Sequence, residues 1–156
     1  MPSGSSATTE KLDGPRVTQF SIFLSNRVGA LLNVVRLLNE RHVHVLAINV
    51  QDSADTAIVR IVVSDPETVQ ATFHEQSVPF SVCELVVVEL KEGAAELGRL
   101  LAALLAAECN IFGSYALLTR PRGRTALALH VEDNECATAV LEGQQFKILS
   151  QSDISR

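Results

Sequence analysis

Several residue types are scarce in this chain, and each absence narrows the possible functions. Its 156 residues contain no tryptophan, one tyrosine and one methionine, and aromatic residues make up 4% of the total. Charged residues account for only 20% and carry a formal net charge of −5, which disfavours a nucleic-acid-binding surface. Hydrophobic residues account for 47%, which is enough for a packed core and argues against disorder along most of the chain.

Cysteine pairs and long apolar runs are also missing. Cys83, Cys109 and Cys136 are scattered without a CxxC pair, which indicates reduced thiols in a cytoplasmic protein rather than a disulfide framework. No apolar run approaches the roughly 20 residues that span a bilayer, so we expect no membrane contact. Residues 1–16 are rich in Ser, Thr, Gly and Pro, and we expect a disordered tail rather than a signal peptide.

The sequence motifs of common catalytic and cofactor sites are absent. The chain has no GxSxG nucleophile motif and no Walker loop. His42 and His44 have no third ligand at the spacing of a catalytic zinc site, so we interpret both as structural or solvent-exposed. We therefore expect no catalytic residue, no metal and no cofactor, and a small enzyme is a less favoured alternative.

What the chain does contain is an internal repeat. The residues that match across it are separated by 66 positions: Leu31 and Leu97, Val45 and Ile111, and Phe80 and Phe146. A repeat of this length indicates that a whole small domain has been duplicated.

Hydrophobic periodicity predicts the same element order in both halves. The first half reads as a strand from residue 17, a helix, strands over 43–51 and 57–64, and a helix that Asp65 caps. The second half reads as a helix over 97–105, strands over 112–118 and 124–131, a helix that Asp133 caps and Gly143 stops, and a strand over 146–150. The apolar stretch 79–90 is predicted to serve both halves, as the last strand of one and the first strand of the other.

This βαββαβ order predicts an α+β fold of two ferredoxin-like units, residues 17–84 and 85–156. We expect antiparallel sheets joined edge to edge, with the helices on one face, because each unit alone would be small and would expose unpaired strand edges. The leucines of 97–105 are interpreted as core, since the run is too short for sustained heptads. The basic run Arg120–Arg124 is interpreted as a solvated hairpin tip.

The loop after the first strand has the composition of a ligand-binding loop. It reads Asn26-Arg27-Val28-Gly29-Ala30-Leu31 and leads into a helix N-terminus, where free N–H groups favour a carboxylate. Gly29 lets a ligand approach the backbone closely. Asn26 can accept a hydrogen bond from an α-ammonium group and donate one to a carboxylate. The alternative is a structural turn in which Gly29 permits the bend and Asn26 caps the helix.

With this loop, the strand order and the repeat, the chain from Val17 to about Ser155 resembles a tandem ACT-domain protein. Val28 stands where that family often has proline. The resemblance implies amino-acid-binding modules that regulate metabolic enzymes, with the ligand between the loop of one unit and the second strand of its neighbour. It implies ligand-binding roles for Asn26, Arg27, Val28, Gly29, Ala30, Leu31, Asn49, Ser114 and Tyr115.

The corresponding loop of the second half departs from this pattern. Glu92 stands where the first half has Asn26, and Ala95 stands where it has Gly29. Glu92 and Glu96 place negative charge where a ligand carboxylate would sit, which opposes anion binding. We therefore predict one competent loop, in the first half.

The sequence thus predicts an amino-acid-binding regulatory protein, an allosteric sensor without catalysis of its own. Its expected partners are a free amino acid, a metabolic enzyme and a second copy of the chain. The first half also resembles the regulatory subunit of acetolactate synthase, so a regulatory small subunit of such a biosynthetic enzyme is the first alternative. A structural dimerisation module that binds nothing is a less favoured alternative.

Overall fold

The structure is a computed structural model that describes residues 16–25 and 29–155. The strands in this part of the chain are β1 (Val17–Ser25), β2 (Val45–Asp52), β3 (Thr56–Val63), β4 (Phe80–Leu90), β5 (Ile111–Ala116), β6 (Thr125–Val131) and β7 (Lys147–Leu149). The α-helices are α1 (Ala30–Glu40), α2 (Pro66–Glu75), α3 (Leu97–Ala106), α4 (Asn134–Gly143) and α5 (Gln151–Ile154). Short 3-10 turns lie at Gly93–Glu96 and Pro121–Gly123.

The long strand β4 belongs to both halves of the sheet. Its first part, Phe80–Leu85, pairs with β1, and its second part, Val86–Leu90, pairs with β6. β7 also pairs with the second part of β4, and every pairing in the sheet is antiparallel. The strand order is β2-β3-β1-β4-β6-β5, with β7 beside this path. The predicted fold of two βαββαβ units joined through the stretch 79–90 is confirmed.

The sheet curls until its two outer strands approach each other. The N–H of Leu118, just after β5, donates to the carbonyl of Leu46 in β2 at 2.6 Å. At the start of α5, the side chain of Gln151 accepts from the N–H of Thr18 and donates to the carbonyl of Val63. These contacts tie the second half to β1, β2 and β3, so the concave face of the sheet is enclosed.

Three buried clusters follow from this arrangement. One fills the concave face and includes Leu46, Val62, Val87 and Ala128. The other two lie between the sheet and the helices, one in each half. Along β4, Phe80 packs in the helix cluster of the first half, and Val86 and Val88 lie in that of the second. These even-numbered residues share one face of the strand, because side chains alternate along it.

The predicted helix caps are confirmed, but the chain end differs from the prediction. Asp65 accepts a hydrogen bond from the N–H of Thr68 at 3.2 Å, and Asp133 accepts one from Cys136 at 3.0 Å. Gly143 is only the last residue of α4; the left-handed backbone after it is at Gln145, with a φ of 72°. The short helix α5 was not predicted, although Ser150 and Asp153 form a reciprocal capping box there.

One interpretation of the second half is wrong, and a second is incomplete. In α3, Leu100 and Leu104 are buried, but Leu97, Leu101 and Leu105 are 40%, 43% and 78% exposed, so these three leucines are not core. The basic run 120–124 is not simply solvated, because Arg124 donates to the buried carboxylate of Glu89 at 3.1 Å. Across the described residues, no helix is long and apolar enough to cross a membrane.

Candidate functional site

Only the second part of the sequence-predicted loop lies among the residues that the structure describes. Asn26, Arg27 and Val28 lie outside the described residues. Gly29 is the N-cap of α1, with φ 91° and ψ −12°, a left-handed conformation that disfavours any residue with a Cβ. Open space surrounds the position of a Cβ there, so the backbone angle rather than crowding requires glycine.

The N-terminus of α1 is open as far as the described residues show. The carbonyl of Gly29 accepts from the N–H of Asn33 at 2.9 Å, which starts the helix. No side chain of the described residues caps this end, and the first turn carries no acid. Ala30 and Leu31 occupy that turn, and Leu31 packs against the helix cluster of the first half. The free N–H groups at this end of α1 can therefore bind the carboxylate of a ligand.

The equivalent loop of the second half holds a carboxylate of the chain itself. The carboxylate of Glu96 accepts from the N–H of Glu92 at 3.1 Å and pairs with Arg99 at 3.2 Å. The side chain of Glu96 is only 12% exposed. A carboxylate of the chain is thus held beside this loop, where its charge opposes a ligand carboxylate, although no side chain caps the first turn of α3.

The strand residues of the predicted site meet in a different place. A cleft of about 290 Å³ lies on the concave face of the sheet, between β2 and β5. Asn49, Ser114 and Tyr115 all line it. Gly29, Ala30 and Leu31 do not line it. Its other lining residues are Gln19, Gln51, Arg60, Phe112, Gly113 and His130.

Strand register explains why these residues share one cleft. Asn49 in β2 lies opposite Arg60 in β3, and Arg60 lies opposite Ser21 in β1, two residues after Gln19. Tyr115 in β5 lies opposite Ala128 in β6, two residues before His130. Side chains two apart on a strand point to the same face, and the curl of the sheet then brings the two groups together. We call this site the β2–β5 cleft.

A buried glutamine organises the floor of the β2–β5 cleft. Gln19 is 1% exposed, and its amide oxygen accepts from the hydroxyl of Tyr115 at 2.6 Å. Its amide nitrogen donates to the thiol sulfur of Cys83 at 3.3 Å. Both ends of the amide are therefore satisfied, and Gln19 fixes the Tyr115 ring from the first half of the chain.

The hydroxyl and the thiol around Gln19 are neutral at physiological pH. Burial raises the pKa of Tyr115, with a smaller contribution from the nearby Cys83 thiol that the charge of Arg60 opposes. Burial also raises the pKa of Cys83. A raised pKa holds both groups in the protonated form, so Arg60 is a fixed positive charge beside neutral hydroxyl, thiol and amide groups.

Arg60 has the chemistry of an anion anchor. One of its guanidinium nitrogens donates to the amide oxygen of Gln51 at 2.8 Å, which orients the group. Among the described residues, no carboxylate lies within ion-pair distance of Arg60. A guanidinium with free N–H donors binds a carboxylate in a fork geometry. On the β5 side, the rings of Phe112 and His130 meet edge to face at 5.4 Å.

Sequence reasoning missed Gln19, Gln51, Arg60, Phe112, Gly113 and His130 as members of this site. A signal was present for two of them, because Gln19 and Arg60 are polar residues inside otherwise apolar strands. A larger cleft lined by Glu84, Glu108, Glu132 and Glu135 has the opposite charge and does not suit an anion. Within the described residues, no group of His, Cys, Asp or Glu side chains is arranged to hold a metal ion.

The comparisons with known proteins agree with this architecture. A family model described as an ACT domain pair matches residues 16–156. The structure of protein BT0572 from Bacteroides thetaiotaomicron is similar, with a TM-score of 0.82 and 22% identity over 90% of this chain and 96% of that one.

Two aspartate kinase regulatory subunits also share the fold. The ligand-free subunit from Thermus thermophilus has a TM-score of 0.60 and 13% identity, covering 83% of this chain and 91% of that one. The subunit from Thermus flavus has a TM-score of 0.56 and 15% identity, covering 83% and 92%. No curated protein matches the sequence.

Proposed function

Because this chain belongs to the ACT domain pair family, we propose that it is a regulatory protein that binds a free amino acid and has no catalytic activity of its own. The observation that carries the proposal is the β2–β5 cleft, in which Arg60 lacks a carboxylate partner among the described residues. The two halves both contribute side chains to this cleft. A ligand bound there would link them directly.

The cleft offers complementary groups for both ends of an amino acid. Arg60 binds the α-carboxylate through the guanidinium nitrogens that Gln51 leaves free. The amide oxygen of Asn49 can accept a hydrogen bond from the α-ammonium group. Phe112 and His130 provide a ring surface for the ligand side chain.

Regulation follows if the ligand changes how firmly the halves are joined. The contact between β2 and β5 includes the hydrogen bond from Leu118 to Leu46, next to the same two strands that line the cleft. A ligand that contacts Arg60 in β3 and the residues of β5 that line the cleft favours the closed sheet over any opened form. By linkage, a partner that prefers the closed form then binds more tightly when the ligand is present.

The loop at the start of α1 stays a separate candidate for the ligand. The resemblance to the ACT family predicts it, and no carboxylate lies in its first turn, whereas Glu96 lies at the equivalent loop of the second half. Ala30 is the repeat equivalent of Glu96, 66 positions earlier. The substitution Ala30→Glu therefore gives the first loop the negative charge that the second loop has, and provides a test specific to the loop.

A thermal-shift screen against the common amino acids, followed by calorimetry of those that bind, tests the proposal. We expect Arg60→Gln to weaken binding by about ten- to a hundredfold, the effect of losing a charged hydrogen bond of about 1.5–3 kcal/mol. The matched control is Arg36→Gln, an exposed arginine on α1. Ala30→Glu should leave the affinity unchanged.

Each outcome has a clear meaning. Loss of binding in Ala30→Glu with normal binding in Arg60→Gln would move the site from the cleft to the loop. A flat thermal response to every amino acid would contradict amino-acid binding and favour a structural module.

A regulatory subunit of an amino-acid biosynthetic enzyme is the second candidate function. The fold likeness to aspartate kinase regulatory subunits is the observation that supports it, and acetolactate synthase is the enzyme that the sequence resemblance suggested. Co-purification of the tagged chain with a larger catalytic chain, enhanced by the amino acid found in the screen, would support this role. Purification of the chain alone under the same conditions would favour the free sensor.

A further inference from the structure

The β2–β5 cleft has almost no apolar wall. Of the nine described residues that line it, only Phe112 has an apolar side chain, and none has an aliphatic one. The aliphatic residues of the concave face, such as Val62 and Val87, lie in the buried cluster instead. A branched aliphatic ligand would cover the polar groups of the cleft without giving them hydrogen bonds in return, which costs free energy. This composition favours a ligand with a polar side chain.

The charge of the cleft has only one sign. The chain has 18 acidic residues against 13 basic ones, yet none of the described residues that line the cleft is acidic. Arg60 supplies a positive charge there, and no described carboxylate pairs with it. An amino acid with a neutral side chain has no net charge and leaves the charge of Arg60 unbalanced. An amino acid with a second carboxylate balances it, whereas lysine or arginine adds a further positive charge.

A hydrogen-bond donor for a second carboxylate comes from the other half of the chain. Arg60 belongs to β3 in the first half, and His130 belongs to β6 in the second. The imidazole of His130 meets the ring of Phe112 edge to face, with the ring centres 5.4 Å apart, which restricts its orientation. An imidazole has a ring N–H to donate in either tautomer. The cleft therefore has one donor group for a carboxylate from each half.

We propose that the ligand of the β2–β5 cleft is an acidic amino acid, aspartate or glutamate, whose two carboxylates bridge Arg60 and His130. This inference rests on the proposed function, since it names the class of amino acid that binds the same cleft. The α-carboxylate binds the guanidinium of Arg60, and the side-chain carboxylate accepts from the imidazole of His130. The methylene groups between them lie along the ring of Phe112. The cleft volume of about 290 Å³ suits so small a ligand, because pockets for larger ligands run from about 300 to 1,000 Å³.

The amides of the two acids provide the sharpest comparison. Asparagine and glutamine have nearly the same shape as aspartate and glutamate, but a neutral amide replaces the second carboxylate. Hydrogen bonds to a carboxylate are roughly twice as strong as those to a neutral acceptor, and the amide leaves the charge of Arg60 unbalanced. Discrimination between acid and amide is therefore the property that identifies this binding mode.

Isothermal titration calorimetry of the full chain with aspartate, glutamate and their two amides tests the proposal. We expect the acid that binds to do so at least about tenfold more tightly than its amide. His130→Phe keeps a ring beside Phe112 but removes the donor, so it should remove most of that preference. The matched control is His74→Phe. His74 meets the ring of Phe80 edge to face at 5.2 Å, but it lies on α2 and does not line the cleft.

The outcomes distinguish this inference from the proposed function. Amides that bind as tightly as the acids, or an aliphatic or aromatic amino acid that binds more tightly than both, would overturn the inference and leave amino-acid binding intact. An acid preference that His130→Phe leaves unchanged, or that His74→Phe reduces as strongly, would also overturn it. No binding by any amino acid would contradict the proposed function, and this inference with it. The comparison of acids with amides uses the wild-type chain, so it decides the question even if a variant does not fold.

Discussion

Helices α1 and α3 occupy equivalent places in the two halves, yet only their buried sides agree. Leu38 in α1 and Leu104 in α3 are 66 positions apart and both fully packed. No described side chain caps the N-terminus of either helix, but the carboxylate of Glu96 lies at the loop before α3 and α1 has no acid in its first turn. On the outer side, α1 is polar and α3 is apolar. Packing against the sheet restricts the inner positions, and nothing in the fold restricts the outer ones.

The β2–β5 cleft is formed by the two halves together. It belongs to neither half, because Gln19, Asn49 and Arg60 come from one and Ser114 and Tyr115 from the other. A single unit would leave the amide of Gln19 without the hydroxyl of Tyr115. Duplication therefore creates a site that one copy of the fold does not have.

The largest expected effect concerns the buried leucines of α1 and α3, which we expect to contribute equally to stability. We expect Leu38→Ala and Leu104→Ala each to lower the free energy of unfolding by about 2–5 kcal/mol, the range for emptying a buried leucine site. Because β4 pairs with strands of both halves, each variant should still unfold in one transition. Urea titration followed by circular dichroism measures both quantities.

The exposed Leu32→Ala in α1 is the control for this pair and should change stability little. Two separate transitions in either core variant would show that the halves unfold independently. That result would contradict the view that the shared strand makes them one cooperative unit.

The second half contains a buried ion pair that the first half lacks. Glu89 is buried and pairs with Arg124, whereas the positions 66 residues earlier are Phe23 and Ile58. Arg124→Met should lower the free energy of unfolding by roughly 1–3 kcal/mol, since it leaves a carboxylate buried without its partner. This figure allows for the Arg124 side chain being 46% exposed, which screens part of the pair.

The double variant Arg124→Met with Glu89→Gln separates charge from packing. Removing the charge of residue 89 should recover part of the loss, and chemical denaturation of all three variants measures the coupling. If the double variant is no more stable than Arg124→Met, the methylene packing of Arg124 rather than its charge stabilises this site.

Much of the fold could be predicted from the sequence because it rests on local patterns. Alternation and helical spacing predicted the order of strands and helices along the chain. Asp65 and Asp133 indicated two helix starts, and the 66-residue repeat indicated the duplication. The resemblance to the ACT family is confirmed by the family match over residues 16–156. The dual role of stretch 79–90 was also correct, since one long apolar strand must join two units that would otherwise expose their edges.

The errors share a physical cause, because they depend on distant parts of the chain. The spacing of five leucines in α3 cannot show which of them face the sheet, so Leu97, Leu101 and Leu105 were assigned to the core. The cleft depends on the curl of the sheet, which brings Arg60 to Tyr115 across strands that are far apart in sequence. Asn49, Ser114 and Tyr115 line one cleft, but their role in ligand binding and their association with the loop at Gly29 remain predictions.

The smallest expected effect concerns the two helix caps, which look alike in sequence. Asp65 accepts from the backbone N–H of Thr68 and also from its hydroxyl, at 2.6 Å, whereas Cys136 offers Asp133 only a backbone N–H among the bonds described. The hydroxyl bond is the main reason that the pKa of Asp65 is lowered. Asp65→Ala should therefore cost about 1 kcal/mol of unfolding free energy at neutral pH, and Asp133→Ala somewhat less.

The loss of stability in Asp65→Ala should depend on pH, because the folded state changes the pKa of Asp65. The folded state lowers the pKa of Asp65 below its ordinary value of 3.8, so it favours the charged carboxylate. The stabilisation is complete above that value and disappears as the pH falls through the lower folded pKa. The stability difference between wild type and Asp65→Ala should therefore shrink in acid, whereas Asp65→Asn keeps a neutral cap that does not titrate. The stability difference between wild type and Asp65→Ala could instead stay constant from neutral pH into acid. That result would show that the cap does not depend on the charge of Asp65, and that the hydroxyl of Thr68 does not make this cap different from the cap at Asp133.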